Sequence, residues 1–157
     1  MSGPRWTCQR FDDLGLRGLY RALRLRSEVF VIEQRCIYLD PDGLDEDAWH
    51  LQGLGQGVDG AEMLFAYARL LPPSIGDGSA RIGRVITAPT ARGGGLGRAL
   101  VSQAVRECQK LWPATPIELG AQAHLRAFYG SFGFVPVSDV YDEDGIPHID
   151  MRKEATP

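Results

Sequence analysis

The sequence predicts a mixed α/β fold with α+β character, and three observations carry that prediction. Apolar β-branched runs alternate with segments at helical spacing. Two adjacent strand-like runs are joined by a glycine-rich turn, which indicates antiparallel pairing. A later passage reads strand–helix–strand–helix–strand–strand, which a doubly wound parallel sheet does not produce. The chain has 157 residues and 44% hydrophobic content, room for one domain with a buried core, so residues 1–157 are read as a single domain. No internal repeat, low-complexity stretch or linker interrupts it.

Trp6 and Cys8 alternate with polar residues and predict a first strand. Asp12 and Asp13 are placed to cap the helix that follows. Its inward positions are expected to be Leu16, Leu19, Tyr20, Leu23 and Ser27 to Phe30, with Arg17, Arg21 and Arg24 on other faces. Gly15 and Gly18 weaken its first turns. From Cys36 to Asp47 the chain is turn-rich and acidic. We expect a solvated turn there, the alternative being a local field that attracts a cationic amine. Its Asp-x-Asp-Gly order lacks the spacing and closing glutamate of a calcium loop.

Ala48 to Leu54 and Met63 to Leu71 read as two strands joined through Gly53 to Gly60. Pro72 to Ser79 is a loop, and Ala80 to Thr87 is the next strand. The helix after Gly97 aligns Leu96, Leu100, Ala104 and Cys108, flanked by Val101 and Val105, and ends at Trp112-Pro113. Pro116 to Leu119 is a short strand, and Ala123 to Tyr129 a short helix closed by Gly130 and Gly133. Phe134 to Val140 and His148 to Met151 form a last strand pair joined by Asp142 to Gly145.

A formal net charge of −3 leaves no footprint for nucleic acid. No apolar run reaches membrane-spanning length and no signal-peptide pattern opens the chain, so no membrane partner and a cytoplasmic address are expected. Cys8, Cys36 and Cys108 are too widely spaced for a zinc site, and no metal is expected.

The segment Val85 to Leu100 carries the chemistry. A β-branched run meets Pro89, then Arg92, then Gly93, Gly94, Gly95 and Gly97, and a helix begins. Backbone N–H groups converging at a helix N-terminus, with an arginine beside them, bind pyrophosphate. No lysine follows these glycines, which excludes a P-loop. Leu100 occupies the third glycine position of a dinucleotide fingerprint, which disfavours a nicotinamide enzyme.

Arg92-x-x-Gly95-x-Gly97 resembles the [QR]-x-x-G-x-[GA] signature of the GNAT superfamily of acyl-coenzyme A N-acetyltransferases, set between the fourth strand and third helix of that fold. Ala127-Phe128-Tyr129-Gly130-Ser131-Phe132-Gly133-Phe134 resembles a second segment of the same superfamily, A-x-x-[LF]-Y-x-x-x-G-F. Residues 28–34, 49–51, 120–125 and 144–149 resemble the ElaA-type bacterial subfamily, so the resemblance spans most of the chain.

The resemblance implies a strongly bent mixed sheet of about seven strands flanked by about four helices. It implies acetyl-coenzyme A as co-substrate in a split between the fourth and fifth strands, held by the backbone of Val85, Ile86 and Thr87. Arg92, Gly93, Gly94, Gly95, Leu96, Gly97 and Arg98 would bind its pyrophosphate, and Gln122 falls at a further cofactor position. Tyr129 would protonate the departing thiolate. Glu118 and His50 are candidate bases for the amine, and Glu28, Glu33 and His148 candidate acceptor-binding residues. The expected reaction is acetyl transfer to a primary amine, small-molecule or peptide, by direct attack in a ternary complex. A homodimer is compatible with the resemblance. The alternative is a non-catalytic acyl-coenzyme A-binding module, which would keep the glycine turn without needing Tyr129.

Overall fold

The computed structural model describes residues 3–156. Eight strands form one sheet in the order β1 (Arg5–Arg10), β2 (Trp49–Gln56), β3 (Glu62–Leu71), β4 (Ala80–Thr87), β5 (Ile117–Gln122), β8 (Ile146–Lys153) and β6 (Val135–Pro136), with β7 (Tyr141–Glu143) also on β8. All neighbours are antiparallel except β4 and β5. Helix α1 (Gly15–Arg26) covers one face, and α2 (Leu96–Leu111) with α3 (Arg126–Gly130) covers the other.

The two faces have separate cores. Leu100, Val101, Ala104, Val105 and Cys108 of α2 pack on Leu51, Ala66, Ala68, Leu70, Ala80 and Ile82, and this stripe is the one the sequence predicts. Ala22, Leu25 and Val29 pack on Leu54, Leu64, Tyr67 and Ile86 across the sheet.

Several local expectations are corrected. Asp12 and Asp13 form a 3₁₀ turn and cap nothing, because the helix starts only at Gly15 behind Leu14. The buried stripe of α1 is Leu14, Gly18, Ala22, Leu25 and Arg26. Leu16 and Tyr20 are exposed, so the sequence periodicity is offset in phase. From Ser27 to Glu33 the helix widens into a π-helix, a geometry that marks functional segments. Gly53 and Gly55 are strand residues rather than turn residues, because the Trp6 and Phe65 rings lie where their side chains would be. The run from Phe134 to Val140 is not one strand: Val135–Pro136 pairs with β8 near Met151, and Tyr141–Glu143 forms the hairpin with it.

Asp40 and Asp45, expected in a solvated turn, are 3% and 7% exposed. Arg26, 0% exposed, forks between Asp40 Oδ2 at 2.8 Å and Asp45 Oδ1 at 2.7 Å. Arg69 bonds Asp42 and Asp45, and Arg84 bonds Asp40 and Asp42. Three arginines therefore neutralise Asp40, Asp42 and Asp45 and dock the loop on the sheet, the arrangement that makes buried carboxylates tolerable, while Glu46 and Asp47 stay exposed as expected.

Candidate active site

The parallel strands β4 and β5 pair only at Ala80 with Ile117 and Arg81 with Glu118. From Ile82 onward they diverge, leaving a split that opens toward the N-terminus of α2. The divergence has a local cause. Ala68 of β3 faces two β4 residues, Arg84 and Val85, so β4 bulges there. Arg84 adopts φ +50, a left-handed conformation unusual for a side-chain-bearing residue. Its Nε donates to Asp40 Oδ1 at 2.8 Å and its guanidinium lies 5.5 Å from the Tyr38 ring centroid, which holds the bulge in place.

The glycine turn lies past the open end of the split. Gly93, Gly94 and Gly95 have φ values of +89, +71 and +82, and no atom lies within 4 Å of a Cβ built at any of them. Three successive left-handed residues beside open space are conformations that only glycine adopts without strain. The last of them is the N-cap of α2. Such a cradle of unobstructed N–H groups fits a pyrophosphate.

A cleft of about 540 Å³ runs along the split on the α1 side. Phe30, Gln34, Cys36 and Tyr38 wall one side, and Tyr141, Glu143, Asp144, Ile146 and His148 of the β7–β8 hairpin wall the other. Gly83, Arg84, Val85, Leu119, Gly120, Gln122 and Tyr129 line its depth. Gly83 and Gly120 lie two residues beyond the last β4–β5 pair, and neither has a side chain to close the split.

The predicted residues divide by placement. Val85, Gln122, Tyr129 and His148 line the cleft. Tyr129 is 6% exposed, packs edge-on against Phe128 and Phe134, and its hydroxyl makes no hydrogen bond among the described residues. Burial pushes its pKa up to about 12, so the phenol stays protonated. Gln122 donates to Gln34 Oε1 at 3.4 Å. His148 Nδ1 lies 2.8 Å from the Ile146 carbonyl and therefore donates to it, which leaves Nε2 as the basic nitrogen. The ring stacks on Tyr141. Ile86 is buried in the α1-side core and Thr87 ends β4.

The remaining residues lie elsewhere. His50 is 1% exposed and outside the cleft. Its Nε2 donates to the Asp45 carbonyl at 2.9 Å and its Nδ1 accepts from the Tyr67 hydroxyl at 2.7 Å, so both nitrogens are committed. Glu118 bonds Arg152 at 3.2 Å and does not line the cleft. Glu28 pairs with Arg24 along the helix. Glu33 pairs with Arg92 at the glycine turn, not with the acceptor side. Arg98, at the start of α2, donates to Ser131 Oγ and lies over the Phe128 and Phe132 rings, tying α2 to α3.

Sequence reasoning missed Tyr38, Arg69, Arg81, Arg84 and Tyr141 in the cleft. The readable signal was Arg81-x-Gly83-Arg84, cations and a glycine inside a strand, which neither a core nor a sheet edge requires.

The matching family model is the acetyltransferase (GNAT) domain, over residues 62–155. These residues run from β3 to the end of β8 and include the split, the glycine turn and Tyr129. The chain belongs to the GNAT acetyltransferase family. The ElaA protein of Escherichia coli is 45% identical over 149 residues, 95% of each chain. A UPF0039 protein of Synechocystis is 43% identical over 152 residues, covering 97% of this chain and 96% of that one. Among solved structures, an acyl-CoA N-acyltransferase from Pseudomonas aeruginosa is 49% identical with a TM-score of 0.87, covering 95% of this GNAT chain and 99% of its own. The crystal structure of E. coli ElaA is 44% identical with a TM-score of 0.87, over 96% and 99%. The GNAT fold and the ElaA kinship expected from the motifs are therefore correct, and the chain is an enzyme of the acyl-CoA N-acyltransferase type. Among the described residues no helix is long and apolar enough to cross a membrane.

Proposed function

We propose that this enzyme transfers the acetyl group of acetyl-coenzyme A to a primary amine by direct attack in a ternary complex. One observation carries the reading: the β4–β5 split joins an unobstructed glycine cradle to a cleft in which the Tyr129 hydroxyl has no partner among the described residues. The backbone of β4 beyond Ile82 has no partner on β5 and can receive an extended amide-bearing arm as an added strand. Gly93 to Gly97 supply donors for the pyrophosphate. Arg98, exposed at the first turn of α2, adds charge there.

The chemistry needs two proton movements. The attacking nitrogen must be neutral, and the departing sulfur must be protonated. Tyr129, a buried phenol whose pKa lies well above neutrality, serves as the donor to sulfur. For the amine, His148 replaces both earlier candidates. His148 lines the cleft with its Nε2 3.5 Å from the exposed Glu143 carboxylate at the cleft's lip, whereas His50 is committed on both nitrogens in the interior and Glu118 to Arg152. No side chain is acetylated on the way: burial, with Asp144 and Glu143 nearby, raises the thiol of Cys36, the cysteine that lines the cleft, above its ordinary value, and Cys108 is pushed up to about 12 within the α2-side core.

A panel of primary amines with acetyl-coenzyme A, read by thiol release, tests the reading. Turnover of at least one amine supports it. Tight coenzyme A binding with no turnover on any amine identifies a binding module instead.

A further inference from the structure

The α1-facing side of the cleft holds a cation that the protein does not neutralise. Arg81 lines the cleft, is partly buried, and makes no ion pair or hydrogen bond among the described residues. Every other arginine in the cleft is committed: Arg69 to Asp42 and Asp45, and Arg84 to Asp40 and Asp42.

The nearby carboxylates are also committed. Glu118, in register with Arg81, bonds Arg152, and Asp150 accepts from the Tyr141 hydroxyl at 2.6 Å. A second, independent observation adds to this. Arg69 is 4% exposed, and its Nε is a buried donor with no partner among the described residues.

The register places the two arginines around a gap. Arg69 pairs with Gly83 and Leu71 with Arg81, so all four share one sheet face. No atom lies within 4 Å of a Cβ at Gly83, so the position between Arg69 and Arg81 is open. An unneutralised guanidinium therefore flanks an open notch beside the split, with Arg69 paired across the strands from Gly83. A partly buried cation with no counter-ion lacks compensation that an incoming anion would supply. The same cleft also carries the other sign. Glu143 and Asp144, at the exposed tip of the β7–β8 hairpin, line it.

We infer that the acceptor is an amine that also carries a carboxylate, with the carboxylate in the notch at Arg81 and the ammonium drawn to the Glu143–Asp144 lip. The inference rests on the acetyltransferase reading of this cleft. A diamine without a carboxylate would leave Arg81 unpaired, and a simple carboxylate would meet the acidic lip.

Matched acceptors test it: lysine against cadaverine, ornithine against putrescine, and phenylalanine against phenethylamine, each with acetyl-coenzyme A. Lysyl-glycine serves as a peptide carboxylate. The acid member of each pair should show kcat/KM higher by about tenfold or more. A preference confined to the free acids assigns the notch to amino acids, and one shared by the dipeptide assigns it to peptide termini. In Arg81→Met the acid preference should collapse through a raised acceptor KM while the KM for acetyl-coenzyme A holds, and Arg81→Lys should restore part of it. Equal or better turnover of the decarboxylated members overturns the inference and leaves the acetyltransferase reading standing. An acid preference that survives Arg81→Met also overturns it. Coenzyme A binding without turnover of any member overturns the reading, and the inference with it.

Discussion

Arg92 and Glu33 form a two-pronged ion pair, with Arg92 Nη1 and Nη2 at 2.9 and 2.7 Å from the two carboxylate oxygens. The pair joins the end of the π-helix to the glycine turn, and Arg92 also bonds the Thr87 carbonyl. The hydrogen bonds from Arg92 hold the Glu33 carboxyl below its ordinary range. The arginine that the motif reserves for phosphate is thus already neutralised by a residue expected at the acceptor site.

A consequence for cofactor affinity follows. In Glu33→Gln the Arg92 charge is released toward the glycine turn, and coenzyme A should bind about two- to fivefold more tightly at low salt. Arg92→Gln should weaken binding. Because both side chains are about 40% exposed, neither change should cost much stability. Isothermal titration with coenzyme A at two salt concentrations measures this, and the gain in Glu33→Gln should shrink as salt rises.

Tyr129→Phe keeps the ring that packs on Phe128 and Phe134 and removes only the hydroxyl. Coenzyme A affinity should hold, and kcat should fall by about a hundredfold, the scale of a lost proton donor. Because burial pushes this phenol up to about 12, the hydroxyl remains protonated through neutral pH, so the loss should be the same at pH 6 and pH 9. Steady-state kinetics at both pH values decides it. An unchanged kcat removes Tyr129 from the mechanism.

His148 is distinguished from its rivals by steady-state kinetics. His148→Gln should lower kcat with the acceptor by about a hundredfold while the KM for acetyl-coenzyme A holds, whereas Glu118→Gln and His50→Gln should retain kcat. The contrast follows from placement, since only His148 lines the cleft.

The parts of the fold legible in the sequence were those set by short-range rules. The α2 stripe, the glycine turn and the position of Tyr129 depend on spacing within one segment. What the sequence hid depends on contacts between distant segments. The α1 stripe includes Arg26, which no hydrophobic periodicity scores as inward, and it is inward because Asp40 and Asp45 meet it there. The acidic loop looked solvated because its counter-ions lie on α1, β3 and β4. The β4 bulge falls not on Gly83, the glycine that hints at it, but on the next residue, since Arg84 takes the left-handed conformation under constraint from Asp40.

That buried network sets the acid stability. Burial raises the Asp42 carboxyl, but Arg69, the Leu44 N–H and Arg84 outweigh it and hold the pKa at about 2, below the ordinary 3.8. Asp45 is also lowered on balance, its burial outweighed by Arg26 and Arg69. Such groups contribute stability that is fully present above the unfolded value and is lost as pH falls through it toward the folded one. His50 is lowered from 6.5 chiefly by burial, so its contribution is present above 6.5 and declines below it. Both signs agree. Urea unfolding should show a first loss of stability below about pH 6.5 from His50 and a steeper one between about pH 4 and 2 from the carboxylates. Arg26→Met, which leaves Asp40 and Asp45 short of a partner, should cost about 3–5 kcal/mol at pH 7.

Gly83→Val separates the role of the notch from the role of the fold. A Cβ at Gly83 meets nothing within 4 Å, and the residue has no left-handed backbone to strain. Valine is a good strand former there, so the melting temperature should be unchanged or slightly raised. The isopropyl group would nevertheless occupy the open position between Arg69 and Arg81. Acceptor KM should therefore rise by about tenfold or more, and by more than the KM for acetyl-coenzyme A, whose pyrophosphate cradle lies at the far end of the split. Steady-state kinetics together with thermal unfolding measures both sides. A stable Gly83→Val enzyme with an unaltered acceptor KM would show that the amine approaches the split by another route.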